Sequence, residues 1–126
     1  MFALDIRKNL KIGKIKFTGF HIDSECTLEK LGIFKYANKV VHPKYGVIKG
    51  NLLIDSVLKP GHTVFPPTWS EEKVIDVVLE SLDNIFEILP QRHDRFQILG
   101  KTKQGLEIKS IISKDFFNAY PNIEIF

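Results

Sequence analysis

The chain reads as an α+β domain in which an antiparallel sheet, formed mostly by the second half, carries one principal helix. Three observations predict this. Ser70-Glu71-Glu72 precedes Val74, Val77, Val78 and Leu82, so an N-cap and first-turn acids open an apolar stripe at helical spacing. Ile33–Val41 and Val47–Ile54 flank the turn His42-Pro43-Lys44-Tyr45-Gly46 and pattern as a hairpin. Phe96–Leu99, Leu106–Ser113 and Phe116–Tyr120 are short apolar or alternating runs separated by turn residues.

Length and composition bound the answer. At 126 residues, with 44% hydrophobic and 26% charged residues, the chain has the makeup of a single soluble globular domain. Lys and Arg interrupt every apolar run, so neither a membrane segment nor a signal peptide is expected. Cys26 is the only cysteine, which excludes an internal disulfide and a multi-thiolate metal site. The net charge of +3 is unevenly placed, because Arg7, Lys8, Lys11, Lys14 and Lys16 face only Asp5 near the start. Such a basic arm favours a polyanion, although lysines also guard strand edges against aggregation.

Taken in order, Leu10–Phe20 suggests a strand edged with lysines. Thr18-Gly19-Phe20-His21 follows, with Gly19 opening the backbone beside His21. Glu25–Leu31 suits a short helical turn before Gly32, and then comes the hairpin. Lys59 and Thr63 stand on either side of a turn expected at Gly61-His62, and Pro66-Pro67 ends regular structure ahead of the helix. Trp69 is placed to pack on Val74 as a hydrophobic staple. After Leu82, Asp83–Pro90 reads as a loop with Ile85, Phe86, Ile88 and Leu89 to bury. Lys103-Gln104-Gly105 turns the chain, and Ile123–Phe126 reads as a packed edge.

The chemistry-bearing residues are few. The chain has no Gly-rich phosphate cradle, no Gly-x-Ser-x-Gly elbow and no His-Glu-x-x-His helix. His21, His42, His62 and His93 are scattered, with no pair at ligand spacing, so no metal or other cofactor is expected. His42 and His93 read as surface residues. An imidazole, an ammonium, a hydroxyl and a phenol remain: His21, Lys59, Thr63 and Tyr120. That set suits metal-free cleavage of RNA, whose ribose supplies the nucleophile. A histidine takes the 2′-OH proton, a lysine stabilises charge on the phosphorane, and a tyrosine or threonine orients sugar and base.

These residues also resemble a family. Lys59-x-x-x-Thr63, Phe65-Pro66-x-x-Trp69-Ser70 opening a helix, and Asn118-Ala119-Tyr120-Pro121 look like the bacterial branch of the EndoU-like endoribonucleases. Thr18-Gly19-Phe20-His21 matches the family's Gly-aromatic-His segment. The similarity runs from about Gly13 to Pro121, and each motif alone is common. The resemblance implies an EndoU/barnase-like ribonuclease fold and a toxin domain, residues 1–126, taken from the C-terminus of a larger polymorphic or contact-dependent toxin. It implies RNA as substrate, tRNA and rRNA being the candidates, and cleavage that leaves a 2′,3′-cyclic phosphate. It further implies a cognate immunity protein, and secretion or delivery into the cytoplasm of target bacteria.

Carried over by position, His21 would be one of two acid–base histidines, Lys59 the catalytic lysine and Tyr120 the tyrosine that orients ribose and uracil. Thr63 and Asn118 would contact the nucleotide. His62, inside the site segment, is the candidate substitute imidazole. The family's other histidine belongs in a segment matched here by Met1–Arg7, which contains none. Replacement at Ala3, a start downstream of the histidine, and a divergent site remain open, and the first is preferred; in each case a weakened or inactivated enzyme is expected. Two alternatives stand beside the enzyme: a non-catalytic RNA- or protein-binding module, and a ribonuclease toxin of similar fold with a different active site. In those readings His21 is a strand-end histidine, Lys59 a surface lysine and Tyr120 a core tyrosine.

Overall fold

A computed structural model describes residues 16–17, 26–32, 34–54, 56–113 and 116–123. Among these residues the fold is α+β, with two sheets and one long helix. In order, the elements are β1 (Lys16–Phe17), α1 (Thr27–Lys30), β2 (Lys35–Val41), β3 (Ile48–Ile54) and β4 (Val57–Val64). They continue with α2 (Glu71–Leu82), β5 (Ile85–Pro90), β6 (Phe96–Lys101), β7 (Glu107–Ile112) and β8 (Phe116–Pro121). The larger sheet has the order β1-β8-β7-β6-β5, antiparallel throughout except that β1 joins β8 in parallel. The smaller sheet is the antiparallel meander β2-β3-β4.

The helix forms where its caps and stripe place it. Ser70 is extended, and its hydroxyl accepts the Lys73 N–H at 3.1 Å, satisfying one of the unpaired first-turn donors. Val74, Val78, Leu79 and Leu82 are buried against the larger sheet, at roughly 1.5–3 kcal/mol of transfer free energy each. Trp69 packs at the edge of this core with its ring stacked on Phe65, 6.2 Å between centroids, and carries the Lys73 ammonium over its face. The helix end lies directly on β6. A Cβ at Gly100 would overlap the Ser81 carbonyl oxygen, so only glycine permits this approach.

Ile98, Ile108, Phe117 and Ala119 supply the sheet side of the core, and Val47 and Phe65 extend it to the flanks of the smaller sheet. The hairpin turn is held by His42, whose Nδ1 accepts the N–H groups of Lys44 (3.1 Å) and Tyr45 (3.2 Å). His42 thus opens the turn expected at His42-Pro43-Lys44-Tyr45-Gly46 and closes it with its own side chain.

Two expected irregular segments are strands. Asp83–Pro90 holds β5 and not a loop, because Ile85 to Pro90 ladder onto β6 with Ile88 opposite Ile98. Gly61-His62 lies within β4, where a chain reversal was expected. The break in pattern that Pro60 and Gly61 produce is a bulge, not a turn.

Candidate functional site: an ammonium–imidazole pair on a strand bulge

The bulge arranges the cationic groups. On β3–β4 the register runs Lys49↔Thr63, Gly50↔His62 and then Leu52↔Lys59, so Pro60 and Gly61 together oppose the single residue Asn51. Gly61 has φ +64, a left-handed value that glycine adopts without strain, and its N–H is held by the Asn51 side-chain oxygen at 3.0 Å. Opposite residues on neighbouring strands share a face, and Gly50 and Leu52 are alternate residues of β3. His62 and Lys59, three positions apart, therefore project from the same face. Without the extra residue they would point to opposite sides.

The pair is coupled electrostatically. His62 is half-buried, and its pKa is pushed below the ordinary 6.5 first by that burial and then by the positive charge of Lys59. At neutral pH the imidazole is consequently uncharged and available to accept a proton. Lys59 itself is exposed.

Thr63 has a different place. The same register puts it with Lys49 on the opposite face from Lys59, and it is only 7% exposed. Its hydroxyl donates to the Pro121 carbonyl oxygen at 2.7 Å, joining β4 of the smaller sheet to the end of β8 in the larger. Lys59 and Thr63, expected to flank a turn at Gly61-His62, instead lie on opposite faces of one strand. The bulge separates them and makes Thr63 a tie between sheets.

That tie sets the position of Tyr120, the residue before Pro121. Phe117 and Ala119 face the helix, so Asn118 and Tyr120 lie together on the other face of β8. Tyr120 pairs with Lys109 of β7, whose ammonium lies 5.8 Å from the ring centroid. Partial burial raises the phenol pKa above 10.0, keeping the hydroxyl protonated as a donor. Asn118 Oδ1 is buried without a hydrogen-bond partner, an acceptor on the same face as the Tyr120 ring.

The sequence-predicted residues thus fall into two linked sets, Lys59 with His62, and Asn118 with Tyr120. Chain adjacency of His62 to Thr63 and the Thr63–Pro121 bond connect them. His21 and Ala3 lie outside the described residues, as does all of the basic arm except Lys16. Asn51 and Lys109 were not anticipated. Asn51 acts only through the bulge, and Lys109 is identified only by the β7–β8 register, neither of which leaves a local motif. Among the described residues no group of three or more His, Cys, Asp or Glu side chains is placed to hold a metal ion. No helix among them is long and apolar enough to cross a membrane.

No family model matches the chain, and no curated protein or solved structure shows significant similarity to it.

Proposed function

We propose that this domain is a metal-independent endoribonuclease of the EndoU-like kind, acting as a toxin that a cognate immunity protein neutralises. The observation that carries the reading is the neutral imidazole of His62 held beside the Lys59 ammonium by a dedicated backbone bulge. A neutral base and a nearby cation are what cleavage of an RNA phosphodiester asks of a protein.

In the reaction, His62 removes the proton of a ribose 2′-OH, and the oxygen attacks the adjacent phosphorus. The P–O5′ bond breaks, the departing 5′-oxygen takes up a proton, and a 2′,3′-cyclic phosphate is left. Lys59 stabilises the negative charge that accumulates on the non-bridging oxygens. Tyr120 offers a ring to a base or sugar and a protonated hydroxyl as donor, while Asn118, with its Oδ1 buried, lies beside it on the same face of β8. Thr63 contributes by fixing β8 against β4. His21 takes the second acid–base role in this reading, and Ala3 marks the place of the missing histidine.

An end-labelled single-stranded RNA tests the proposal. Wild-type protein should cleave it, and His62→Gln should lower the rate by on the order of a hundred- to ten-thousand-fold. Equal rates for wild type and His62→Gln would remove His62 from the chemistry. RNA binding without cleavage by either protein would favour the non-catalytic module. The immunity partner is expected to be acidic, with association that slows steeply as salt rises.

A further inference from the structure

The outer strand of the larger sheet is the other unusual surface of the molecule. β5 is the last strand in the order β1-β8-β7-β6-β5, and among the described residues no strand pairs its outer edge. Its sequence is Ile85-Phe86-Glu87-Ile88-Leu89-Pro90, with one charge, no lysine and a proline only at its last position to discourage pairing. Phe86 and Ile88 are each 55% exposed, and Leu89 and Phe96 are nearly as open. Beside the strand lies a cavity of about 390 Å³ lined entirely by apolar side chains: Ile85, Ile88, Phe96, Ile98 and Ile112. Ile98 and Ile112 pack toward the core, so this groove is on the helix face, at the Phe96 end of β6. The helix end covers β6 at Gly100 and leaves the Phe96 end bare.

We infer that this edge binds a second copy of the same chain, β5 pairing antiparallel with β5 of its partner to continue the sheet across a twofold axis. Charge selects the second copy as the occupant. Asp83 is exposed just before β5, and Arg92, Asp94 and Arg95, together one net positive charge, are exposed just after it. Antiparallel pairing of two copies sets the acidic end of each strand against the basic end of the other, twice over. The same symmetry brings the two grooves together on one face, so the exposed Ile88 and Phe96 of both copies are covered at once.

Side-chain facing also fixes the register. Paired residues must share a face, and a twofold axis through the sheet maps each face onto itself, so the axis passes through a residue. Centring on Glu87 puts two carboxylates directly opposite each other, which is destabilising. Centring on Ile88 puts Ile88 against Ile88, Glu87 against Leu89 and Phe86 against Pro90, and it brings Asp83, the helix cap before the strand, toward the Arg92 end of the partner strand. That register satisfies both the apolar and the charge pattern. This surface is separate from the Lys59–His62 site, and the inference does not depend on the ribonuclease reading.

Two measurements on the full chain test it. Sedimentation equilibrium at micromolar to hundreds of micromolar concentration should show a monomer–dimer equilibrium for wild type. Ile88→Lys, a change at a half-exposed position that the fold tolerates, should shift the protein to monomer at every concentration. Single cysteines in a Cys26→Ser background then read the register. Ile88→Cys should form an intermolecular disulfide on mild oxidation, because residues facing across an antiparallel pair have Cβ atoms about 4.5–5.5 Å apart, while Glu87→Cys should not. A wild-type monomer throughout that range would overturn the inference, whether or not another protein occupies the edge. So would an Ile88→Lys protein that dimerises like wild type. Equal cross-linking at positions 87 and 88 would overturn the register.

Discussion

Replacing Thr63 with valine keeps the shape of the side chain and removes one hydroxyl. In the structure that hydroxyl is buried and donates to the Pro121 carbonyl at 2.7 Å, so the substitution leaves a buried carbonyl short of a donor. The cost of such a loss is about 1–3 kcal/mol, set by desolvation of the orphaned group more than by the net worth of one hydrogen bond. In a domain of this size each kcal/mol moves the melting temperature by roughly 3–6 °C. Urea unfolding should therefore show a lower midpoint with an unchanged slope, since the surface exposed on unfolding is the same. Thr63→Ser keeps the donor and loses one methyl, about 0.8 kcal/mol at full burial, so it should fall between wild type and valine. If Thr63 instead touched the nucleotide, valine would raise KM and leave stability unchanged. A Thr63→Val protein within about 0.3 kcal/mol of wild type, with weakened RNA binding, would refute the assignment of Thr63 as a tie between the sheets.

Gly100→Ala should destabilise by about 3 kcal/mol or more or prevent folding, since its Cβ would meet the Ser81 carbonyl; circular dichroism and urea titration read this directly. Stability should also depend on pH through His62. Its pKa is lower folded than unfolded, so the unfolded chain binds more protons below 6.5. Stability should thus be full above 6.5, fall as pH drops through the lowered folded-state value, and level off below it, and His62→Gln should flatten that slope. Tyr120 acts at the other end: with its phenol pKa raised, stability should decline as pH rises past 10.0, and Tyr120→Phe should remove that decline. Ala3→His should raise RNA cleavage on the order of a hundred- to ten-thousand-fold if that position lost a catalytic histidine. An unchanged rate would instead favour a divergent site.

How much of this was legible in the sequence depends on whether the signal was local. The helix was readable because its cap, first-turn acids and stripe all lie within Ser70–Leu82 and agree with one another. β6, β7 and β8 were readable from alternation between turn residues. β5 was not, because a strand that leaves Phe86, Ile88 and Leu89 exposed lacks the alternation that marks a half-buried one, and Pro90 looks like a loop signal. Pro at a strand end on a sheet edge is in fact well tolerated, since its missing N–H faces away from β6 and takes nothing from that ladder. Pro60 and Gly61 misled for a related reason. They do interrupt β4, but as a bulge whose glycine is clamped by Asn51 from another strand, and that partner is invisible to local reading. The consequence for the candidate site is direct. Spacing alone pairs Lys59 with Thr63, whereas the bulge pairs Lys59 with His62 and turns Thr63 toward Pro121. Tyr120 and Asn118 could be chosen as candidates from their motif, but Lys109 over the Tyr120 ring follows only from register.

RNA cleavage by a lysine and an imidazole without metal is the central proposal. The direct measurement is mass spectrometry of the products of a defined single-stranded RNA incubated with the protein in EDTA. Wild-type protein should give 5′ fragments ending in a 2′,3′-cyclic phosphate, recognised as a loss of water relative to the linear monophosphate. Lys59→Ala, at an exposed position where folding is expected to be unaffected, should give none. Cyclic phosphate termini at the wild-type rate from Lys59→Ala, or cleavage that disappears with EDTA, would contradict it.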